Sequence, residues 1–268
     1  MTAPRMANGG SAIRLSWAQA GEIGMRSTNQ DAMGAARNGA LACFVIADGT
    51  GGHQGGEVAS RIVVDALLGA FAAEPAFGAQ SLLSYVGQSI AQVAQAKLGD
   101  QKLSDMSSSV AALLVDEQAA CAVWAHLGDT RIYLFRAGRL LTVTKDHSLT
   151  QQLIDAGYAS AAQLRTHPQR NILLAAVGAE GEIPVAASEH VVALMPGDAL
   201  LACSDGLWEW VLESEMEQAL LGASDSEDWL AAMCARADAA VETAGRSRDN
   251  YSAYAIRVHQ QSTNTCSK

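Results

Sequence analysis

Short runs of alternating or continuous apolar residues, each bounded by turn formers, recur along the chain and read as β-strands. They fall at Ile13–Gln19, Leu41–Ala47, Ser109–Val115, Cys121–Leu127, Arg131–Phe135, Leu140–Val143, His190–Leu194, Ala199–Cys203 and Tyr251–Val258. Helical spacing marks Val58, Ile62, Val63, Ala66 and Leu67, then Leu82, Val86, Ile90 and Val93, with further helical stretches at Glu213–Leu221 and Glu227–Ala240. The helices come in pairs between groups of strands, which is not the strict alternation of a doubly wound parallel sheet. The pattern predicts an α/β (α+β) sandwich: two stacked, mainly antiparallel sheets flanked by helices. Arg136-Ala137-Gly138-Arg139, between two strands, signals a hairpin turn.

A chain of 268 residues, 49 % hydrophobic and 17 % charged, has the composition of a globular protein, and no biased stretch marks a linker. A single domain over residues 12–259 is expected, with 1–11 and 260–268 small and polar enough to fray. The formal net charge of −10, with no run of Lys or Arg, argues against nucleic-acid and anionic-membrane partners. The five cysteines show no Cys-x-x-Cys spacing and sit mostly in apolar runs, as core residues of a reducing compartment do. With no apolar signal core and no run long enough to span a bilayer, a cytoplasmic protein is expected.

Charge placement changes the picture more than charge balance. Asp48, Asp129, Asp205 and Asp249 each stand at the end of an apolar run, where a rigid strand delivers a side chain to a sheet edge. Strand followed by Asp-Gly is written twice, at Asp48-Gly49 and Asp205-Gly206, and the glycine suggests a turn that lets carboxylate and carbonyl face one ion. One such aspartate alone reads as a turn or a helix N-cap. Four together point to oxygen-only ligation of Mg²⁺ or Mn²⁺, and the scattered histidines give no case for zinc. The loop Gly49-Thr50-Gly51-Gly52-His53 also invites a nucleotide-site reading. It lacks the Lys-Ser/Thr of a Walker loop, and Gln54 stands where a dinucleotide fingerprint needs its last glycine.

Seven segments in order then carry a resemblance: Gly24-Met25-Arg26-Ser27-Thr28-Asn29-Gln30-Asp31, Val45 to His53, Gly128-Asp129-Thr130-Arg131-Ile132-Tyr133, Thr144-Lys145-Asp146-His147-Ser148, Arg170-Asn171-Ile172 through Gly178, Ser204-Asp205-Gly206-Leu207-Trp208, and Arg248-Asp249-Asn250. From Gly21 to Val258 the chain resembles the PP2C (PPM) family of metal-dependent serine/threonine protein phosphatases, in its compact bacterial form. The resemblance implies that Asp48 bridges two Mn²⁺ or Mg²⁺ ions, with the Gly49 carbonyl, Asp205 and Asp249 completing the protein ligands. Asp129 with Asp205 would serve a third, looser ion. Arg26 would hold the substrate phosphate through its planar fork. Asp31, Gln30 and Asn250 would support from behind, and His53 would act as general acid, its rival role being a cap for the helix that follows. A hydroxide held between the two metals would attack phosphorus in line.

The partners implied are phosphorylated proteins, including a Ser/Thr kinase or its targets, met by a monomer. The alternative is a catalytically weak phosphoprotein-binding regulator of a secretion or stress pathway. Leu149–Gln169 corresponds to the family's flap. Trp208 reads as packing, and Asp146 and His147 as holding a turn. Three departures bear on substrate choice: Thr50 replaces a methionine, Met106-Ser107-Ser108-Ser109 stands for a Gly-Thr-Thr-like segment, and Ala175-Ala176 replaces a polar or basic residue.

Overall fold

The computed structural model describes residues 12–50, 52–179 and 185–261, and the side chains of 52–54 lie outside that description. The strands are β1 (Ile13–Glu22), β2 (Asp31–Asn38), β3 (Leu41–Thr50), β4 (Ser107–Ser108), β5 (Val110–Asp116), β6 (Cys121–Leu127), β7 (Arg131–Arg136), β8 (Arg139–Val143), β9 (Ala186–Ala187), β10 (Val192–Ala193), β11 (Ala199–Cys203) and β12 (Tyr251–Gln260). The helices are α1 (Gly52–Ala73), α2 (Ala79–Gly99), α3 (Leu149–Asp155), α4 (Asp205–Trp208), α5 (Glu213–Gly222) and α6 (Ser226–Ala244). One sheet runs β1-β12-β11-β7-β8. The other runs β10-β6-β5-β3-β2, with β4 on β3 and β9 on β6. All of these pairings are antiparallel.

The central strands are apolar on both faces because both faces are covered. Along β3, Cys43, Val45 and Ala47 pack beneath α1 and α2, while Phe44 and Ile46 point into the space between the sheets. Along β11, Leu201 and Cys203 meet α4 to α6, while Leu200 and Ala202 face inward. Phe44 is pinned in the middle layer by edge-on contacts with Trp17 and Tyr254, with ring centroids 5.2 and 5.3 Å away. Burial pushes the Cys43 thiol up to about 12 and raises that of Cys203 as well; both are unpaired.

Register brings the aspartates to one rim. Cys203 lies opposite Arg131 on one side and Ala253 on the other, so Asp205, Asp129 and Asp249 all emerge at the same end of the first sheet. In the second sheet Asp31 pairs directly with Asp48, at the matching end. The hairpin at Ala137-Gly138 has φ of +50° and +74°, the doubly positive backbone that a twisted two-residue turn requires.

Three sequence expectations change. β2 went unseen, because Asp31-Ala-Met-Gly-Ala-Ala-Arg-Asn carries small residues without alternation. The His190–Leu194 run narrows to the two residues of β10. Gln260, expected to fray, instead pairs with Ile13, and Gln261 donates its N–H to the Ala12 carbonyl, so the adjoining strand holds this end of the chain. Residues 1–11 and 262–268 lie outside the described residues.

Truncating Phe44, which is 1 % exposed, removes the ring that both sheets grip. Phe44→Ala is expected to destabilise the protein by about 3–5 kcal/mol, read from the denaturant midpoint at unchanged slope.

Candidate metal centre

Asp48, Asp129, Asp205 and Asp249 line one cavity of about 210 Å³, with Arg26, Gln30, Gly49, Thr50, Asn171, Leu173 and Asn250 completing its wall. A larger groove of about 690 Å³ lies at the opposite end of the first sheet, where the carboxylate present, Asp198, is already paired with Arg136.

Asp48 and Asp129 are held through their backbone carbonyls. The Asp48 carbonyl accepts from Ser109 N–H at 2.8 Å and Ser108 Oγ at 3.0 Å, fixing the end of β3 against β4 and β5. Ser109 Oγ lies 2.5 Å from Thr130 Oγ1, which ties Asp48 to the turn bearing Asp129. The Asp129 carbonyl accepts from the Trp208 indole N–H at 2.9 Å, and the Arg131 guanidinium lies 3.4 Å over that indole while gripping Asp146 at 2.7 Å through two nitrogens. Trp208 is therefore a positioning group as well as a packing one, and Asp146 anchors Arg131. Asn250 organises the loop that carries Arg26. Its amide donates to the Ile23 and Thr28 carbonyls at 2.7 and 3.0 Å, and its oxygen accepts from Gln30 N–H at 2.8 Å. Asp31 accepts from Ser204 Oγ at 2.7 Å, one step behind the cavity.

The two Asp-Gly glycines are needed for close approach, not for a left-handed turn. A Cβ on Gly49 would lie 2.0 Å from the Gly56 carbonyl oxygen, and one on Gly206 would lie 2.1 Å from that of Asn250. Neither has positive φ. Backbone thus packs on backbone at both points, and this brings loops from both sheets to the cavity rim.

Burial, followed by mutual repulsion, sets the electrostatics. The Asp48 carboxyl is raised well above its ordinary range by burial, then by Asp31, Asp205, Asp129 and Asp249. Asp205 is raised by burial and then by Asp129, Glu209 and Asp249. Burial lifts Asp129 to about 7, with Asp146 adding to the rise and Arg131 opposing it, and lifts Asp31 to about 6 against its Ser204 and Ser252 hydrogen bonds. Among the described residues, the buried Oδ1 atoms of Asp205 and Asp31 have no hydrogen-bond partner. Acceptors left bare beside their own kind need a cation, and an all-oxygen donor set fits Mg²⁺ or Mn²⁺.

The side chains do not close on an ion as they stand: among the described residues no three His, Cys, Asp or Glu groups converge tightly enough to grip one. Asp249 Oδ2 accepts from Arg26 Nη2 at 2.5 Å and its Oδ1 from Asn250 N–H at 2.8 Å, which sets the guanidinium directly beside this carboxylate. His53 falls in the first turn of α1, and its side chain lies outside the described residues. Two of the departures from the family pattern face each other, with Thr50 Oγ1 2.7 Å from Ser107 Oγ at the cavity rim. Ala175 and Ala176 are buried away from the cavity.

The segment before the cavity wall folds as α3 and a 3-10 turn at Ala161–Arg165. Arg165 donates to the Trp208 carbonyl and to Glu213 at 2.9 and 2.8 Å, and Arg170 to Glu209 at 2.6 Å, which fastens it to α4 and α5. Trp208, Arg131, Ser109 and Ser204 were not legible as site residues, because their partners are distant in sequence and their types suit plain packing or capping.

Residues 19–246 match the family model described as protein phosphatase 2C. The serine/threonine phosphatase Stp of Listeria monocytogenes is 36 % identical over 182 residues, covering 66 % of this chain and 70 % of its own. Among solved structures, the serine/threonine phosphatase PstP/Ppp of Mycobacterium tuberculosis has a TM-score of 0.79 at 27 % identity, over 92 % of this chain and 99 % of that one. The catalytic domain of the serine/threonine protein phosphatase PstP in complex with two manganese ions gives 0.76 at 26 % identity, over 93 % and 100 %. The chain belongs to the protein phosphatase 2C family.

Folding raises Asp129 from 3.8 to about 7 and Asp31 from 3.8 to about 6, so the metal-free folded chain binds more protons than the unfolded chain across that window. Its stability contribution from these groups is present in acid and is lost as pH rises through the folded values. Metal-free Asp129→Asn is therefore expected to gain stability over metal-free wild type as pH increases from about 4 to about 8. Thermal midpoints in chelator across that range test this; a gain that does not grow with pH contradicts it.

Proposed function

We propose that the chain hydrolyses phosphoserine and phosphothreonine on proteins, opposing a Ser/Thr kinase, with two Mn²⁺ or Mg²⁺ ions held by the cavity carboxylates. The observation that carries this reading is the gathering of Asp48, Asp129, Asp205 and Asp249 in one cavity with the Arg26 guanidinium beside them. Family membership and the serine/threonine phosphatase names of the relatives support the reaction, and the manganese-bearing PstP domain supports a dinuclear site. Every carboxylate of the pattern is present, which disfavours a binding-only regulator.

When bound, the ions would supply Lewis-acid charge and an acidified water as the attacking group. The remaining work belongs to the chain. Asp48 would bridge the pair, with the Gly49 carbonyl, Asp205 and Asp249 as the other protein ligands, and Asp129 with Asp205 would take a looser third ion. Arg26 would exchange Asp249 for two oxygens of the substrate phosphate, a swap that suits a fork able to pair with either anion. Asn250 and Gln30 would hold the Arg26 loop in place, and Asp31 would brace the carboxylates from behind through Ser204. His53, which follows the Asp48-Gly49 turn in sequence, would give its proton to the departing serine or threonine oxygen. The segment 149–169 would act as a flap by releasing Arg165 from α4 and α5.

Phosphate release from a phosphothreonine peptide is expected to require Mn²⁺ or Mg²⁺, to stop in chelator, and to fall more than about 100-fold in Asp48→Asn. Metal-independent turnover, or an Asp48→Asn enzyme as fast as wild type, rejects the reading. Arg26→Ala is expected to lose about 1.5–3 kcal/mol of charge-assisted hydrogen bonding, or roughly ten- to a hundredfold in kcat/KM.

A further inference from the structure

A second hollow of about 560 Å³ shares a wall with the acidic cavity. Three pairs of consecutive residues each place one member in either hollow: Arg26 and Met25, Asp249 and Arg248, Asn250 and Tyr251. Neighbouring Cα atoms sit only about 3.8 Å apart, so the second hollow adjoins the acidic cavity across that wall. Resting on the phosphatase reading above, we propose that this groove is the docking site for the stretch of substrate beside the phosphoresidue, and that it selects a basic side chain followed or preceded by an apolar one.

Charge complementarity argues for the basic residue. Glu22, Asp238 and Glu242 line the groove, and Arg248 is the cation among its lining residues. Arg248 is turned into the fold through Nε and Nη1. It pairs with Asp238 at 2.6 Å, donates to the Gly206 carbonyl at 2.8 Å and lies 3.8 Å over the Tyr251 ring, so its charge is balanced by Asp238. Glu22 and Glu242 remain, both exposed, and among the described residues neither forms an ion pair. With Asp238 taken up by Arg248, these two carboxylates leave the groove an excess of negative charge for a Lys or Arg of the substrate to meet.

The apolar half comes from Ile23 and Met25, which are 42 % and 64 % exposed. Their backbone is tightly held: Met25 N–H donates to the Arg248 carbonyl at 3.1 Å, and the Ile23 carbonyl accepts from Asn250 at 2.7 Å. Exposed apolar side chains on a pinned loop beside a catalytic cavity are a ready contact surface, and methionine adapts to varied partners. An extended peptide advances about 3.3–3.6 Å per residue, so a phosphoresidue beside Arg26 would place its near neighbours over these groups.

The test uses phosphothreonine peptides identical except for the flanks, one with Lys and Leu and one with Glu and Ser, beside p-nitrophenyl phosphate, which has no flanks. Wild type is expected to favour the basic-apolar peptide by about tenfold in kcat/KM, chiefly through KM, with the preference fading at high salt. In the double variant Glu22→Lys, Glu242→Lys the ratio inverts. In Asp65→Lys, an exposed charge reversal on α1, the ratio stays as in wild type. Equal kcat/KM for the two peptides in wild type, an unchanged ratio in the double variant, or an equal shift in Asp65→Lys overturns the groove and assigns any preference to overall charge. Absence of p-nitrophenyl phosphate turnover with Mn²⁺ instead removes the phosphatase reading, and the groove with it.

Discussion

Carboxylates packed side by side away from water repel one another, and the fold has to hold Asp48, Asp129, Asp205 and Asp249 in place against that repulsion. It does so by anchoring what lies behind them. Ser108 and Ser109 bind the Asp48 carbonyl, Trp208 binds that of Asp129, and the Gly49 and Gly206 backbones press on neighbouring loops with no side chain between. Among the described residues, buried oxygens of Asp205 and Asp31 are left without such ties, which is the arrangement a cation needs. A site whose aspartates were satisfied by protein hydrogen bonds would be more stable alone and would offer less to an ion.

The same constraint explains why the site is shared between sheets. One sheet supplies Asp129, Asp205 and Asp249, and the other supplies Asp31 and Asp48. Their relative position is set by the middle layer in which Phe44 meets Trp17 and Tyr254. Core packing and site geometry are thus one problem, and Arg26 joins the two halves by reaching from the β1–β2 loop to Asp249.

The sandwich was legible because its strands are buried on both faces and end abruptly in aspartate, so run ends at Ala47 and Cys203 mark where acidic side chains emerge. β2 was not legible, since its small residues carry no period and its position follows from pairing with β3. Nor was the reason for Gly49 and Gly206 visible: sequence suggests a turn, whereas tertiary contact with Gly56 and Asn250 excludes a side chain. Trp208 looks like packing in any local window, because the carbonyl it binds lies 79 positions away. The Arg26 partnership spans 223 positions and depends wholly on the closing of β12 against β1. Composition and periodicity report on what each strand buries, and long-range polar contacts fall outside that record.

The sulfur chemistry of the fold carries one more consequence. Cys43 and Cys203 stand a few residues upstream of Asp48 and Asp205, yet their thiols are enclosed and held in the neutral form. A neutral, buried thiol is a poor target for peroxide. The two sulfurs nearest in sequence to Asp48 and Asp205 are thus sealed in strands, where peroxide would meet a neutral thiol rather than a reactive thiolate.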